Sequence, residues 1–205
     1  MVKMKGLILA VSILLVFACK HKPANEGERV TASQLTDSAV RVAMYLDSQA
    51  VESALILLDK AIALDTNYFA AYWNKMTYQN QLELFDEAFE TAKKIEHLQP
   101  NNATIKTSIG FYLDRQGKCT DAKLKYEEAE KIYETILHSE TDEFKRKQIE
   151  FGRAMNLKLS GKEKAANEIF SVILQTETDD LLQQQIQHYL NMNREDMLNE
   201  VFVTQ

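Results

Sequence analysis

Reactive residue types are few in this chain, and they are scattered. The four histidines, His21, His97, His138 and His188, stand far apart. None of them forms the pair of histidines with a glutamate that holds zinc from one helix face. No two glycines precede a lysine and a hydroxyl residue at the spacing of a phosphate-cradling loop, and no Gly-x-Ser-x-Gly elbow occurs. The acidic cluster Glu127-Glu128-Ala129-Glu130 lies beside Lys123, Lys125 and Lys131 and reads as a solvated helix face. Cys119, alone inside a helical pattern, reads as a small buried core residue. No catalytic residue, metal ligand or cofactor is assigned on this basis, and the chain is read as a non-enzyme. The one side chain placed for covalent chemistry is Cys19, at the end of an apolar run.

Composition narrows the class further. The chain has 205 residues and a formal net charge of −6, more negative still once Lys3 and Lys5 of the leader are discounted. A surplus of carboxylates repels phosphate backbones, and no basic stripe offsets it, so nucleic acid is excluded as a partner. Hydrophobic residues make up 45% and charged residues 26%, enough for a core. There are two prolines, Pro23 and Pro100, and six glycines. Such scarcity suits long helices better than sheets with many tight turns.

Lys3 and Lys5 precede an apolar segment from Gly6 to Phe17, too short to span a bilayer and of signal-peptide length. Ala18 then precedes Cys19, and the chain turns polar at Lys20-His21-Lys22-Pro23. Leu15-Val16-Phe17-Ala18-Cys19 resembles the lipobox of bacterial lipoproteins. The resemblance implies acylation of Cys19 after removal of residues 1–18, and Lys20 resembles the sorting position of lipoproteins sent to an outer membrane. Phe17 is bulkier than the residue usual there. Residues 19–33 lack apolar periodicity and read as a flexible tether, leaving residues 34–205 as the folded domain.

That domain carries an internal period. Ala54, Ala88 and Ala122 lie 34 residues apart, as do Leu58, Ala92 and Tyr126, and again Ala61, Ile95 and Ala129. The next match needs a step of 44: Ala122 to Ala166, Tyr126 to Phe170, Gly117 to Gly161, Gly110 to Ala154. An insertion of about ten residues is therefore placed at Leu137–Arg146. A helix-turn-helix period of 34 residues with small and aromatic positions in this order resembles the tetratricopeptide repeat. Its best match is Ile109-Gly110, Leu113, Gly117, Ala122, Tyr126 and Ala129. The resemblance implies an all-α, right-handed solenoid of about four helix pairs, at residues 35–68, 69–102, 103–136 and 147–180, with a C-terminal cap at 181–203. The first pair departs most, because Val42 and Gln49 replace small residues.

In that family the first helix of each pair lines a groove. The shared register puts Ala39, Trp73, Thr107 and Phe151 in one row, and Ala43, Thr77, Phe111 and Met155 in the next. Further rows hold Leu46, Asn80, Asp114 and Lys158, and then Asp47, Gln81, Arg115 and Leu159. A partner-binding groove is thus expected from Trp73, Phe111, Phe151 and Met155, edged by Asn80, Gln81, Arg115 and Lys158. The competing possibilities are that Trp73 packs between helices, or that a C-terminal helix folds back and fills the groove. The rows lack the lysine, asparagine and arginine set that clamps an acidic chain terminus in chaperone-binding relatives. These resemblances imply a membrane-anchored lipoprotein adaptor of the bacterial cell envelope that binds a protein or peptide. A glycan-binding outer-membrane lipoprotein is the alternative, and an envelope enzyme comes third.

Overall fold

The computed structural model describes residues 30–45 and 47–200. Cys19, the expected leader and most of the expected tether fall outside them. Among the described residues the regular structure is entirely helical. Helices α1 (Ala32–Ala43) and α2 (Ser48–Leu64) form the first pair, and α3 (Phe69–Gln81) and α4 (Phe85–Leu98) the second. Helices α5 (Ala103–Arg115) and α6 (Cys119–Ser139) form the third, and α7 (Glu143–Leu159) and α8 (Glu163–Thr176) the fourth. Two more follow, α9 (Asp180–Asn191) and the short α10 (Arg194–Glu200). From α1 to α9 each helix packs on the next, and first helices also touch, α1 with α3 and α5 with α7. Such near-neighbour packing defines an α-helical solenoid.

The punctuation of the chain explains the pairing. Short polar side chains cap α1, α2, α5, α7 and α9: Thr31, Asp47, Asn102, Asp142 and Asp179 each accept a hydrogen bond from the amide three residues on. They satisfy donors that an isolated helix start leaves unpaired. Within the second, third and fourth pairs a different device recurs. The amides of Leu84, Lys118 and Lys162 donate to the carbonyls of Gln79, Leu113 and Leu157, at 2.8, 2.9 and 2.8 Å. The residue before each, Glu83, Gly117 or Gly161, donates to the carbonyl three residues back. This is a Schellman turn, which needs a left-handed residue at its centre. Gly117 and Gly161 have φ of 73° and 81°, and Glu83 adopts 60° at the matching position.

Small residues let the helices approach closely. Ala54, Ala88, Ala122 and Ala166 are all fully buried. A Cβ at Gly110 would lie 2.6 Å from the ring of Tyr126, so α5 and α6 come together on glycine against aromatic. The larger apolar core runs from Met76 of α3 to Met197 of α10, and a second occupies α1 to α3. Helix α3 serves both, giving Met76 to one and Ala71 and Tyr78 to the other.

The extra residues of the 44-residue step do not form a loop. One period beyond the end of α4 is Ile132, yet α6 continues to Ser139, and α7 starts at Glu143, before the Lys147 that the step predicts. The first pair is offset as well: α1 ends at Ala43 and α2 begins at Ser48, so Gln49 lies inside a helix rather than in a turn.

Three expectations need correction. Cys119 is exposed, not buried: it is the first residue of α6, ahead of the stripe Ala122, Tyr126 and Ala129 that meets the neighbouring helices. The acidic cluster is only partly solvated. Glu128 pairs with Lys106 at 2.7 Å, and Glu130 is buried against Arg153 at 2.6 Å. The C-terminal stretch is two helices rather than one. Asn193 and Asp196 exchange amide-to-carboxamide and amide-to-carboxylate hydrogen bonds, at 3.0 and 2.9 Å. That reciprocal cap restarts the helix after Met192.

Candidate partner-binding face

The first helices α3, α5 and α7 carry every residue expected to line the groove. The structure distributes them unevenly. Trp73 is partly buried, its ring tilted against Phe69 with centroids 5.7 Å apart. Gln81, the last residue of α3, is also partly exposed. Arg115 is exposed and stacks on the ring of Phe85, 4.0 Å from its centroid, with Phe111 farther off at 5.7 Å. A guanidinium over an aromatic face is favourable and is held without losing its water.

The other positions are covered. Phe111 is 0% exposed and packs edge-on against Phe85 and Tyr112, so it belongs to the core and does not line an open groove. Asn80 is buried too; its side-chain oxygen accepts a 2.8 Å hydrogen bond from the Tyr112 hydroxyl. Phe151 and Met155 are partly buried, and Phe151 meets Phe170 and Tyr189 edge-on at 5.5 and 5.9 Å. Lys158 is 0% exposed. Its ammonium donates to Asn167 Oδ1 at 2.8 Å, to the Tyr189 carbonyl at 2.5 Å and to the Leu190 carbonyl at 3.4 Å. Those carbonyls belong to the last turn of α9, where a cation is favoured. Burial pushes the Lys158 ammonium below the ordinary lysine range.

The C-terminal helix accounts for part of this covering. Helix α10 lies on α5 and α7. Arg194 donates from Nη2 to Asp114 Oδ2 at 2.6 Å and from Nε to the Leu159 carbonyl at 2.6 Å. The Asp114 carboxylate is 2% exposed and also accepts from the Tyr126 hydroxyl at 2.9 Å. Burial, reinforced by that carboxylate, drives the Tyr126 hydroxyl well above its usual range. Met197 is fully buried in the cluster that holds Phe111 and Leu159. Arg115 closes the far end, donating to the Leu198 carbonyl at 3.2 Å. The face expected to be open is therefore covered in part, on α5 by Phe85 and α10 and on α7 by α8, α9 and α10, while Trp73 and Gln81 on α3 and Arg115 on α5 reach the surface.

Sequence reasoning placed Asp114 on a groove row without giving it a role, and missed Arg194 and Phe85. The spacing of Arg194, Met197 and Leu198 marks one face of a helix, but nothing local to either residue joins Arg194 to Asp114. Among the described residues no group of three or more His, Cys, Asp or Glu is placed to hold a metal ion, and no helix is long and apolar enough to cross a membrane.

What the fold and this face define is a stack of helix pairs with an occupied first-helix surface. No family model matches the chain, and no curated protein does. Among solved structures it is similar to YrrB, described as a TPR protein with an unusual peptide-binding site. The identity is 18%, over 78% of this chain and 74% of that one, with a TM-score of 0.47. The recurring Schellman turns and the helix pairing, not this likeness, establish the stack.

Proposed function

We propose that this chain is a lipid-anchored adaptor of the bacterial cell envelope, which holds a protein or peptide partner against its first-helix face. One observation carries the binding half of the reading. That face already accepts a helix, its own α10, through a buried Met197 and the Arg194–Asp114 pair. Arg115 beside it, and Trp73 and Gln81 on α3, remain at least partly exposed. Partly exposed tryptophans and arginines are the residue types that most often anchor an interface. The anchoring half rests on sequence alone: the basic leader, the short apolar run and the Ala18-Cys19 junction. Outer-membrane delivery is proposed from Lys20 on the same footing. The stack supplies no residue that selects the partner by name.

Two measurements test the halves separately. Cys19→Ala should abolish metabolic labelling with palmitate and leave the precursor uncut; equal labelling of both chains would remove the anchor. Trp73→Ala should reduce retention of the partner captured from envelope extracts by tenfold or more, since anchors of this kind carry about 2–4 kcal/mol. The circular-dichroism melt of the variant should show the domain still folded. Unchanged retention per folded molecule would remove Trp73 from the binding surface.

A further inference from the structure

We infer that α10 is an internal ligand: it occupies a berth on α5 and α7 that an incoming helix displaces, and that helix must carry an arginine three to four residues ahead of paired apolar side chains. The inference rests on the adaptor reading and names the partner class for the same face.

The berth has polarity. At the start of α10 stand carboxylates: Glu163 accepts from the Arg194 amide at 3.0 Å, and Asp114 takes the Arg194 guanidinium. Four residues further on, the Leu198 carbonyl accepts from Arg115. Negative groups at a helix start match the helix macrodipole. The berth therefore selects a helix, in one direction. Between those ends lies the apolar seat of Met197, against the cluster of Phe111 and Leu159. A side chain at the Arg194 position needs both a planar cation and reach, because its two contacts are a buried carboxylate and a backbone carbonyl.

The occupant is built to leave. Helix α10 is tied to the stack through the Arg194 guanidinium, the buried Met197 and the Leu198 carbonyl, so it is held in place by the berth. Its tertiary contacts are to α5 and α7, near their C-terminal ends, and to Glu163 at the start of α8. Only the break at Met192 and Asn193 separates it from α9, so release requires no other helix to move. Once vacated, Asp114 and Glu163 gain access to water, which charged groups tolerate. A longer helix bearing the same arginine and apolar pair makes the same contacts, including the one to Arg115.

The test uses the full mature chain and a fluorescein-labelled peptide of residues 191–200. Fluorescence anisotropy should show the peptide binding Arg194→Ala chains at least tenfold more tightly than wild type, because their own helix is loosened. Adding Asp114→Asn should erase that gain. Equal affinity for wild type and Arg194→Ala, or a gain that survives Asp114→Asn, would overturn the proposal. A second readout needs no variant: in methyl NMR of wild type, the Met197 signal should move to its solvent-exposed position as excess peptide is added. An unmoved signal at saturating peptide refutes displacement. A dimer that grows with concentration and is lost in Arg194→Ala would give the berth to a second copy's α10, against the partner assigned here. Loss of partner capture in Trp73→Ala, with Met197 unmoved, sinks the internal ligand alone. Normal capture in Trp73→Ala, with Met197 displaced, sinks the role of Trp73 and keeps the berth.

Discussion

Phe111 shows how far a single residue can be read from sequence. Its spacing from Thr107 and Arg115 places it correctly on the first-helix row of α5, yet spacing cannot say what lies above that row. The cover includes Phe85, 26 positions earlier, and the buried cluster around Phe111 extends to Met197 near the other end of the sequence. Neither is signalled by anything near Phe111. Because it is fully buried, Phe111→Ala should cost about 3–5 kcal/mol, a fall of roughly 10 °C in the melting temperature. A melt within 2 or so degrees of wild type would return Phe111 to an open surface. Cys119 teaches the same lesson in reverse: it stands three residues before Ala122, in step with the buried stripe of α6, yet it is exposed.

Among the elements, the turns within pairs are the best-conserved feature of the internal repeat. The glycines at positions 117 and 161 made two of them visible in the sequence. The third was hidden because Glu83 stands where glycine belongs, though its backbone follows the same left-handed path. A side chain held there costs roughly 1–2 kcal/mol, while glycine loses about 0.5–1 kcal/mol of extra chain entropy on folding. Glu83→Gly should therefore stabilise the domain by about 0.5–1 kcal/mol, seen as a rise of roughly 1–4 °C in the thermal melt. A variant that melts at or below wild type would show that Glu83 is not strained. The first pair was the least legible for a related reason. Its helices begin and end out of step with the period, and Asp47 caps α2 where the other pairs use a Schellman turn.

Across the molecule, ionic contacts join helices that the repeat pattern treats as separate units. Lys106 of α5 bridges Glu96 of α4 at 3.0 Å and Glu128 of α6 at 2.7 Å, and Lys125 reaches Glu96 at 2.8 Å. Burial raises the Glu96 carboxyl, but hydrogen bonds and attraction from Lys125 and Lys106 outweigh it and leave it below the ordinary range. Glu128 is lowered as well, first by its hydrogen bond to Lys106. Folded values below the unfolded ones mean stability that is present above the ordinary carboxylate range near pH 4.3. That stability is lost as pH falls through the folded values. Lys106→Met should therefore lower the melting temperature at pH 7 by about 2–4 °C, on the order of 1 kcal/mol after screening around exposed Glu128. The difference from wild type should shrink by pH 3. A constant gap at both pH values would mean that the lysine contributes only packing.

The extended third and fourth pairs have an angular consequence. Successive residues turn about 100° around a helix axis, so seven added residues advance the side chains to within roughly 20° of two full turns. The seven that prolong α6 past Ile132 therefore keep its inward stripe in phase, and Tyr133 and Leu137 are buried in line with Ala122, Tyr126 and Ala129. The four that advance the start of α7 overshoot one turn by only about 40°. Length was added where whole turns could absorb it, and the Schellman corners at Gly117 and Gly161 were left at their original phase. A stack of this kind has a quantised tolerance: increments near whole turns preserve which side chains face inward, while two added residues would rotate the stripe by about 200° and turn Tyr133 and Leu137 to water.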